Sequence, residues 1–302
     1  MTRALVLGGP GFVGTAACKE LMRRGVETIA ASRTAHPYGT FTSHIAFDRG
    51  DEAELERVLG EVQPDVLLDC ACYHPRDLAA VLRHFRGQRY VFIATGTILY
   101  PEGIDRPARE DDLVPFEGEP PDGDVDYATG KLWCETLLKR SPDFPGVSLR
   151  PPAVLGAGDP TRRIAAYFRS VDEGAVTLPA EALDRQLGIV WVRDLGYACA
   201  LACEPRTPAS GGYNVAWEGI SVRRLVEAIA ALLGREAHIE PVPAAELPGV
   251  KGNVFADSAS PYGPDPNRVH GLDATRIRTE LGWSASALEE ALAEVAAWYR
   301  TL

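Results

Sequence analysis

The stretch that decides the fold is Ala4-Leu5-Val6-Leu7-Gly8-Gly9-Pro10-Gly11-Phe12-Val13-Gly14, an apolar run that passes directly into glycines at 8, 11 and 14. Four apolar residues bounded by turn residues read as a buried strand, and the run from Thr15 to Arg24, stopped by Gly25, reads as a helix. A glycine triplet placed between a strand and a helix has a specific use. Gly8 permits the tight turn, Gly11 lets the backbone approach a pyrophosphate, and Gly14 lets the helix pack close to the strand. The N–H groups of Phe12, Val13 and Gly14 at the helix start then face the anion, with the helix dipole in support.

Outward from this loop the first half alternates short β-rich runs with helical ones, which predicts a doubly wound parallel sheet covered on both faces. Strands are expected at Thr28 to Ala31, His44 to Phe47, Asp65 to Asp69 and Tyr90 to Ala94. Helices are expected from about Asp51 to Leu59 and from Leu78 to Phe85. Between Tyr100 and Asp126 proline, glycine and acidic residues leave no period, so a long surface loop is expected, of a kind that in compact domains is often functional. A helix over Tyr127 to Lys139 and a strand at Val147 to Leu149 follow. The later helices, near Arg162 to Val171, Arg193 to Ala202, Val222 to Leu233 and Ala287 to Arg300, lie among proline-rich links. The expected division is a dinucleotide-binding Rossmann unit at 1–150 and a smaller mixed α/β unit for substrate at 151–302, with some of its segments returning to the first.

Composition narrows the partners. The 302 residues are 46% hydrophobic, ample for a large core. Against 42 acidic residues stand 31 Lys and Arg, a net charge of −11, and no basic track suits a phosphate backbone, so no nucleic-acid partner is expected. Nothing approaches the roughly 18 apolar residues of a membrane helix, and the chain reads as cytosolic with no membrane partner. Cysteines at 18, 70, 72, 134, 199 and 203 sit in apolar stretches without metal-ligand spacing; they read as small hydrophobes and no metal is expected.

The chemistry is carried by Tyr127-Ala128-Thr129-Gly130-Lys131, which sets a phenol and an amine four apart on one helix face. A free phenol titrates near pH 10, and a neighbouring ammonium stabilises the phenolate, so such a pair can take or give the proton of a substrate hydroxyl. The strand Tyr90 to Ala94 leads into Thr95 and Thr97, either of which would place a hydroxyl at the ligand cleft. At the end of the second strand Ser32 and Arg33 stand where a carboxylate would select NAD. A guanidinium suits a 2′-phosphate, so NADP is preferred over NAD.

With these features in place the chain resembles the extended short-chain dehydrogenases/reductases, the group of nucleotide-sugar epimerases, dehydratases and reductases. Leu149-Arg150-Pro151-Pro152, Val190-Trp191-Val192-Arg193-Asp194-Leu195, Tyr213-Asn214-Val215 and Leu281-Gly282-Trp283 resemble the later motifs, so the likeness spans nearly the whole chain. The resemblance implies that Asp48 and Arg49 flank the adenine, that Cys70, Ala71 and Cys72 line the cofactor, and that Tyr127, Lys131 and a strand-end hydroxyl are catalytic. Counting along the strand favours Thr95, whereas counting back from Tyr100 lands on Gly96. Only Gly96 and Thr97 follow Thr95, where dehydratases carry two acids, so dehydration is disfavoured. Tyr73, His74 and Arg185 are candidate substrate contacts, and the resemblance allows a homodimer. The expected activity is hydride transfer at a hydroxyl or ketone carbon of a sugar or nucleotide-sugar-like substrate. The alternative is a non-catalytic dinucleotide sensor or RNA-associated protein on the same fold.

Overall fold

The structure is a computed structural model that describes residues 2–35, 40–96, 99–101, 103–184, 186–208, 210–243, 245–246 and 271–302. Its centre is a seven-stranded, wholly parallel sheet. Strands β1 (Arg3–Leu7), β2 (Glu27–Ser32), β3 (Ser43–Ala46), β4 (Val66–Asp69), β5 (Arg89–Ile93) and β6 (Gly146–Arg150) come from the first half. With β10 (Gly211–Asn214) from the second half they lie in the order β10-β6-β5-β4-β1-β2-β3.

Alternation along each strand assigns its side chains to two helical layers. Ala4 and Val6 of β1, with Val91 and Ile93 of β5, meet helix α1 (Phe12–Arg23) and helix α6 (Val192–Ala202). Leu5 and Leu7, with Tyr90 and Phe92, meet α2 (Glu52–Val62), α3 (Pro75–His84) and α4 (Tyr127–Lys139). Both faces are covered, which is why these strands read as continuous apolar runs. The order reverses beside β1, so the crevice for a ligand opens at the carboxyl ends of β1 and β4.

Beyond β6 the chain builds a separate core around α5 (Arg163–Glu173), α7 (Val222–Leu233) and α9 (Leu288–Tyr299). Short parallel pairs edge it, β7 (Ala153–Leu155) with β9 (Ile189–Trp191) and β8 (Val176–Pro179) with β11 (Ile239–Val242). Helix α6, strand β10 and helix α8 (Thr275–Leu281) instead pack on the first core, so the second half contributes to both. No helix among the described residues is long and apolar enough to cross a membrane. The six cysteines are free thiols, and burial pushes Cys18 and Cys203 up to about 12, so both remain protonated at neutral pH.

The long loop is pinned by a buried polar network. Glu135 of α4 receives Arg150 through two bonds, at 2.7 and 2.9 Å, and the Ser148 hydroxyl at 3.0 Å. Arg150 also donates to the Glu110 carbonyl at 3.2 Å, which ties the loop to β6. Tyr100 donates to Asn214 at 2.5 Å, and Asn214 donates to the Ala108 carbonyl at 2.9 Å. Arg150 therefore spends its charge inside the protein, away from the cleft. A buried ion pair that loses one member leaves a stranded charge. Glu135→Ala is expected to lower the free energy of unfolding by about 3–5 kcal/mol, measured by denaturant titration, and pairing it with Arg150→Met should recover much of the loss.

Candidate active site

The phosphate loop takes its shape from three close approaches. Gly8 has φ +76°, a left-handed conformation that glycine adopts without strain. A Cβ on Gly14 would lie 2.1 Å from the Gly8 carbonyl oxygen, and one on Gly9 would lie 2.6 Å from the Ala30 Cβ. Gly11 is the N-cap of α1 and offers no side chain, so the first helical N–H groups have no side-chain cap. Uncapped N–H groups at a helix start fit an anion. Gly14→Ala is expected to weaken dinucleotide binding at least tenfold, about 1.4 kcal/mol, in a calorimetric titration, because the start of α1 must shift away from the loop.

Beside the loop a cleft of about 530 Å³ runs towards β2 and β3. Gly8, Gly11, Ser32, Arg33, Asp48, Arg49, Ala71 and Tyr73 are among its walls, which brings residues from four strand ends to one ligand-sized space. These donors and this shape fit the pyrophosphate and adenosine half of a dinucleotide. Ser32 is held by its own contacts, donating to the Thr34 carbonyl at 2.9 Å and meeting His44 Nε2 at 2.8 Å. Arg33 is exposed at the rim.

Arg49 lies in the cleft wall but is anchored from behind by Asp69 and by Asp77 at 3.0 Å. Burial is the largest single influence and opposes its charge, but Asp69 and the neighbouring groups, Asp77 among them, together outweigh it and hold the guanidinium cationic. Its Nη1 meets Asp77 as an ion pair without hydrogen-bond geometry, and among the described residues its buried Nε has no hydrogen-bond partner. Nothing local to Arg49 signals this anchoring, because Asp69 and Asp77 are 20 and 28 residues further along. Of the strand-four residues, Ala71 lines the cleft while the Cys72 side chain turns into the core, 3.6 Å from the Cys134 thiol.

Helix α4 begins with Asp126 as N-cap, accepting from the Thr129 N–H at 3.0 Å. Tyr127, in its first turn, is 50% exposed, whereas Lys131, one turn later, is 2% exposed. The Lys131 ammonium donates to the Cys72 carbonyl at 2.8 Å and to the Ile93 carbonyl at 2.7 Å, at the ends of β4 and β5. Gly130 makes this approach possible: a Cβ there would be 2.2 Å from the Tyr73 carbonyl oxygen. The structure thus sets the phenol on the open side and the amine beneath it.

Thr95 lies half-buried just past the end of β5, while Thr97 and Arg185 lie outside the described residues. A side chain at position 96 would meet the Leu272 methyl at 2.6 Å and the Pro151 carbonyl at 2.9 Å, so this position has no room for a hydroxyl-bearing residue. Tyr73 stands beside Tyr127 with ring centroids 6.0 Å apart. The expected role of His74 as a substrate contact meets a physical obstacle. Its Nδ1 caps α3 by accepting from the Arg76 N–H at 3.1 Å, and its Nε2 meets the Gly123 carbonyl at 2.9 Å, so both ring nitrogens are engaged. A histidine followed by Pro75 and by Asp77 three positions on is a capping-box pattern, and that local signal was readable.

Comparison with known proteins agrees with this architecture. Residues 4–216 match the NAD dependent epimerase/dehydratase family. Over 97% of its length the chain is 26% identical to dTDP-6-deoxy-L-talose 4-dehydrogenase (NAD(P)(+)) of Kitasatospora kifunensis, covering 94% of that protein. The UDP-glucose 4-epimerase of Thermotoga maritima, solved with UDP-glucose, has a similar fold with TM-score 0.71 and 21% identity over 99% of each chain. That of Stenotrophomonas maltophila, solved with NAD and formylated UDP-arabinopyranose, gives TM-score 0.74 and 19% identity over 100% of this chain and 98% of its own. The chain belongs to the NAD dependent epimerase/dehydratase family and is an NAD(P)-dependent enzyme of the extended short-chain dehydrogenase/reductase group.

Proposed function

We propose that the enzyme interconverts a secondary hydroxyl and a ketone on a sugar or nucleotide-sugar-like substrate, with Tyr127 as general acid and base, assisted by Lys131. The observation that carries this reading is the half-exposed Tyr127 phenol one turn above an ammonium locked to the ends of β4 and β5. When bound, the nicotinamide dinucleotide supplies the hydride acceptor or donor. Tyr127 moves the proton at the reacting oxygen, and Lys131 adds a positive charge that favours the phenolate. A hydroxyl from Thr95 or Thr97 orients the same oxygen. Gly11, Phe12, Val13 and Gly14 hold the pyrophosphate through the uncapped start of α1.

For the dinucleotide, NADP is the preferred form and NAD the second. Arg33 is exposed at the rim of the cleft, and Ser32 and Arg33 end β2 without a carboxylate to receive a ribose 2′-OH. That preference favours a net dehydrogenase or reductase over an epimerase, and the curated relative's own name, a sugar-nucleotide 4-dehydrogenase using either cofactor, points the same way. An epimerase would hold its dinucleotide through purification.

Tyr127→Phe is expected to lower kcat by about 10²- to 10⁴-fold while the affinity for the dinucleotide, titrated calorimetrically, stays close to wild type. Equal loss of both would remove the proton-transfer role. In the same titration NADP⁺ should bind more tightly than NAD⁺, and Arg33→Ala should cost NADP⁺ about tenfold and leave NAD⁺ unchanged. An NAD⁺ preference in the unaltered enzyme would overturn the cofactor assignment and favour the epimerase.

A further inference from the structure

An ammonium carries three N–H donors, and two of those on Lys131 go to backbone carbonyls. Around the same nitrogen stand three aromatic rings, Tyr73 at 4.5 Å, Phe92 at 4.9 Å and Tyr127 at 5.7 Å from the ring centroids. Phe92 is fully buried in the sheet, so it shields the nitrogen from the interior. Tyr73 is 51% exposed and lines the dinucleotide cleft. Its ring is therefore what stands between the buried ammonium and the cleft, at the distance of a cation–π contact.

The backbone and the ring of Tyr73 are held very differently. Its N–H donates to Asp77 at 3.0 Å, and its carbonyl packs against Gly130, so the main chain is locked between α3 and α4. The ring is tied by one hydrogen bond at its tip, to the Cys70 carbonyl at 3.2 Å, by its contact with the ammonium and by the neighbouring Tyr127 ring at 6.0 Å between centroids. A half-exposed ring with a single hydrogen bond can exchange one staggered χ1 position for another while the backbone stays in place.

We propose that Tyr73 is a positioning residue for Lys131, an aromatic cover that holds the ammonium in place in the cofactor-free enzyme and turns aside when a dinucleotide enters the cleft. The ring lies 4.5 Å from the ammonium, so it shields the amine from water before a ligand arrives. The incoming dinucleotide then covers the amine in its place. This inference rests on Lys131 serving as the partner of Tyr127, but it concerns the reach of a reagent to the amine and can be read without turnover.

The test is competitive acylation of nucleotide-stripped enzyme with a trace of acetic anhydride, scored by mass spectrometry at Lys131 relative to the exposed Lys19. Tyr73→Ala and Tyr73→Leu should each raise the relative labelling of Lys131 by about tenfold. Tyr73→Phe, which keeps the ring and loses only the bond to Cys70, should stay at the wild-type rate. Saturating NADP⁺ or NAD⁺ should restore protection in the Ala and Leu variants. Unchanged labelling in both of these variants, or a rise in Tyr73→Phe as large as theirs, would overturn the cover. Should Lys131→Met retain full turnover, the catalytic reading fails while the labelling result stands.

Discussion

The charge on Lys131 is the constraint around which the site is arranged. An ammonium with almost no exposure is costly unless its donors are met, and here the carbonyls of Cys72 and Ile93 meet two of them. Those carbonyls belong to the segments leaving adjacent parallel strands, so the ammonium joins α4 to the carboxyl ends of β4 and β5 together. The sheet order has to be correct before the helix can seat, and the seated helix then carries Tyr127 to the mouth of the crevice. Gly130 completes the arrangement by letting α4 touch the backbone at Tyr73, a contact that any side chain would prevent.

Two buried ion networks flank this centre and share one logic. Beside the phosphate loop, Asp69 and Asp77 hold Arg49 in the cleft wall, so that cleft is bounded by a fixed cation. On the far side, Glu135 holds Arg150, which keeps the loop after Tyr100 against β6, while Asn214 holds Ala108 and Tyr100 to β10. Burial pushes the Tyr100 phenol up to about 12, so it remains a donor to Asn214 at neutral pH. Each network joins segments far apart in the chain. The long loop is thereby structural at its base, whatever its tip contributes.

Much of this was written locally. The glycine spacing 8, 11 and 14, the apolar strands buried on both faces, and the four-residue step from Tyr127 to Lys131 follow from backbone geometry and helical period, which depend on neighbours in sequence. The helices of the second half were also foreseeable, because an amphipathic period such as that of Val222–Leu233 needs no knowledge of what it packs on. Helix α8 and the short strands β7, β8, β9 and β11 were not, since strands of three or four residues carry too little pattern and exist through their partners.

What only the tertiary structure decided concerns partners that lie far away in sequence. Arg49 read as a flank for adenine and is also an ion-pair partner of Asp69 and Asp77; Arg150 read as part of a family motif and is neutralised by Glu135. His74 read as a ligand contact, although its local capping pattern already offered the other reading. Position 96, reached by counting back from Tyr100, is closed by Pro151 and Leu272, which arrive from later parts of the chain. Residue type and spacing determined the fold class and the placing of Tyr127 and Lys131 on one helix face, because both are properties of a single strand, turn or helix. Which charges are spent inside the protein and which remain for a ligand depends on packing between elements, and only the assembled sheet and its helices could decide that.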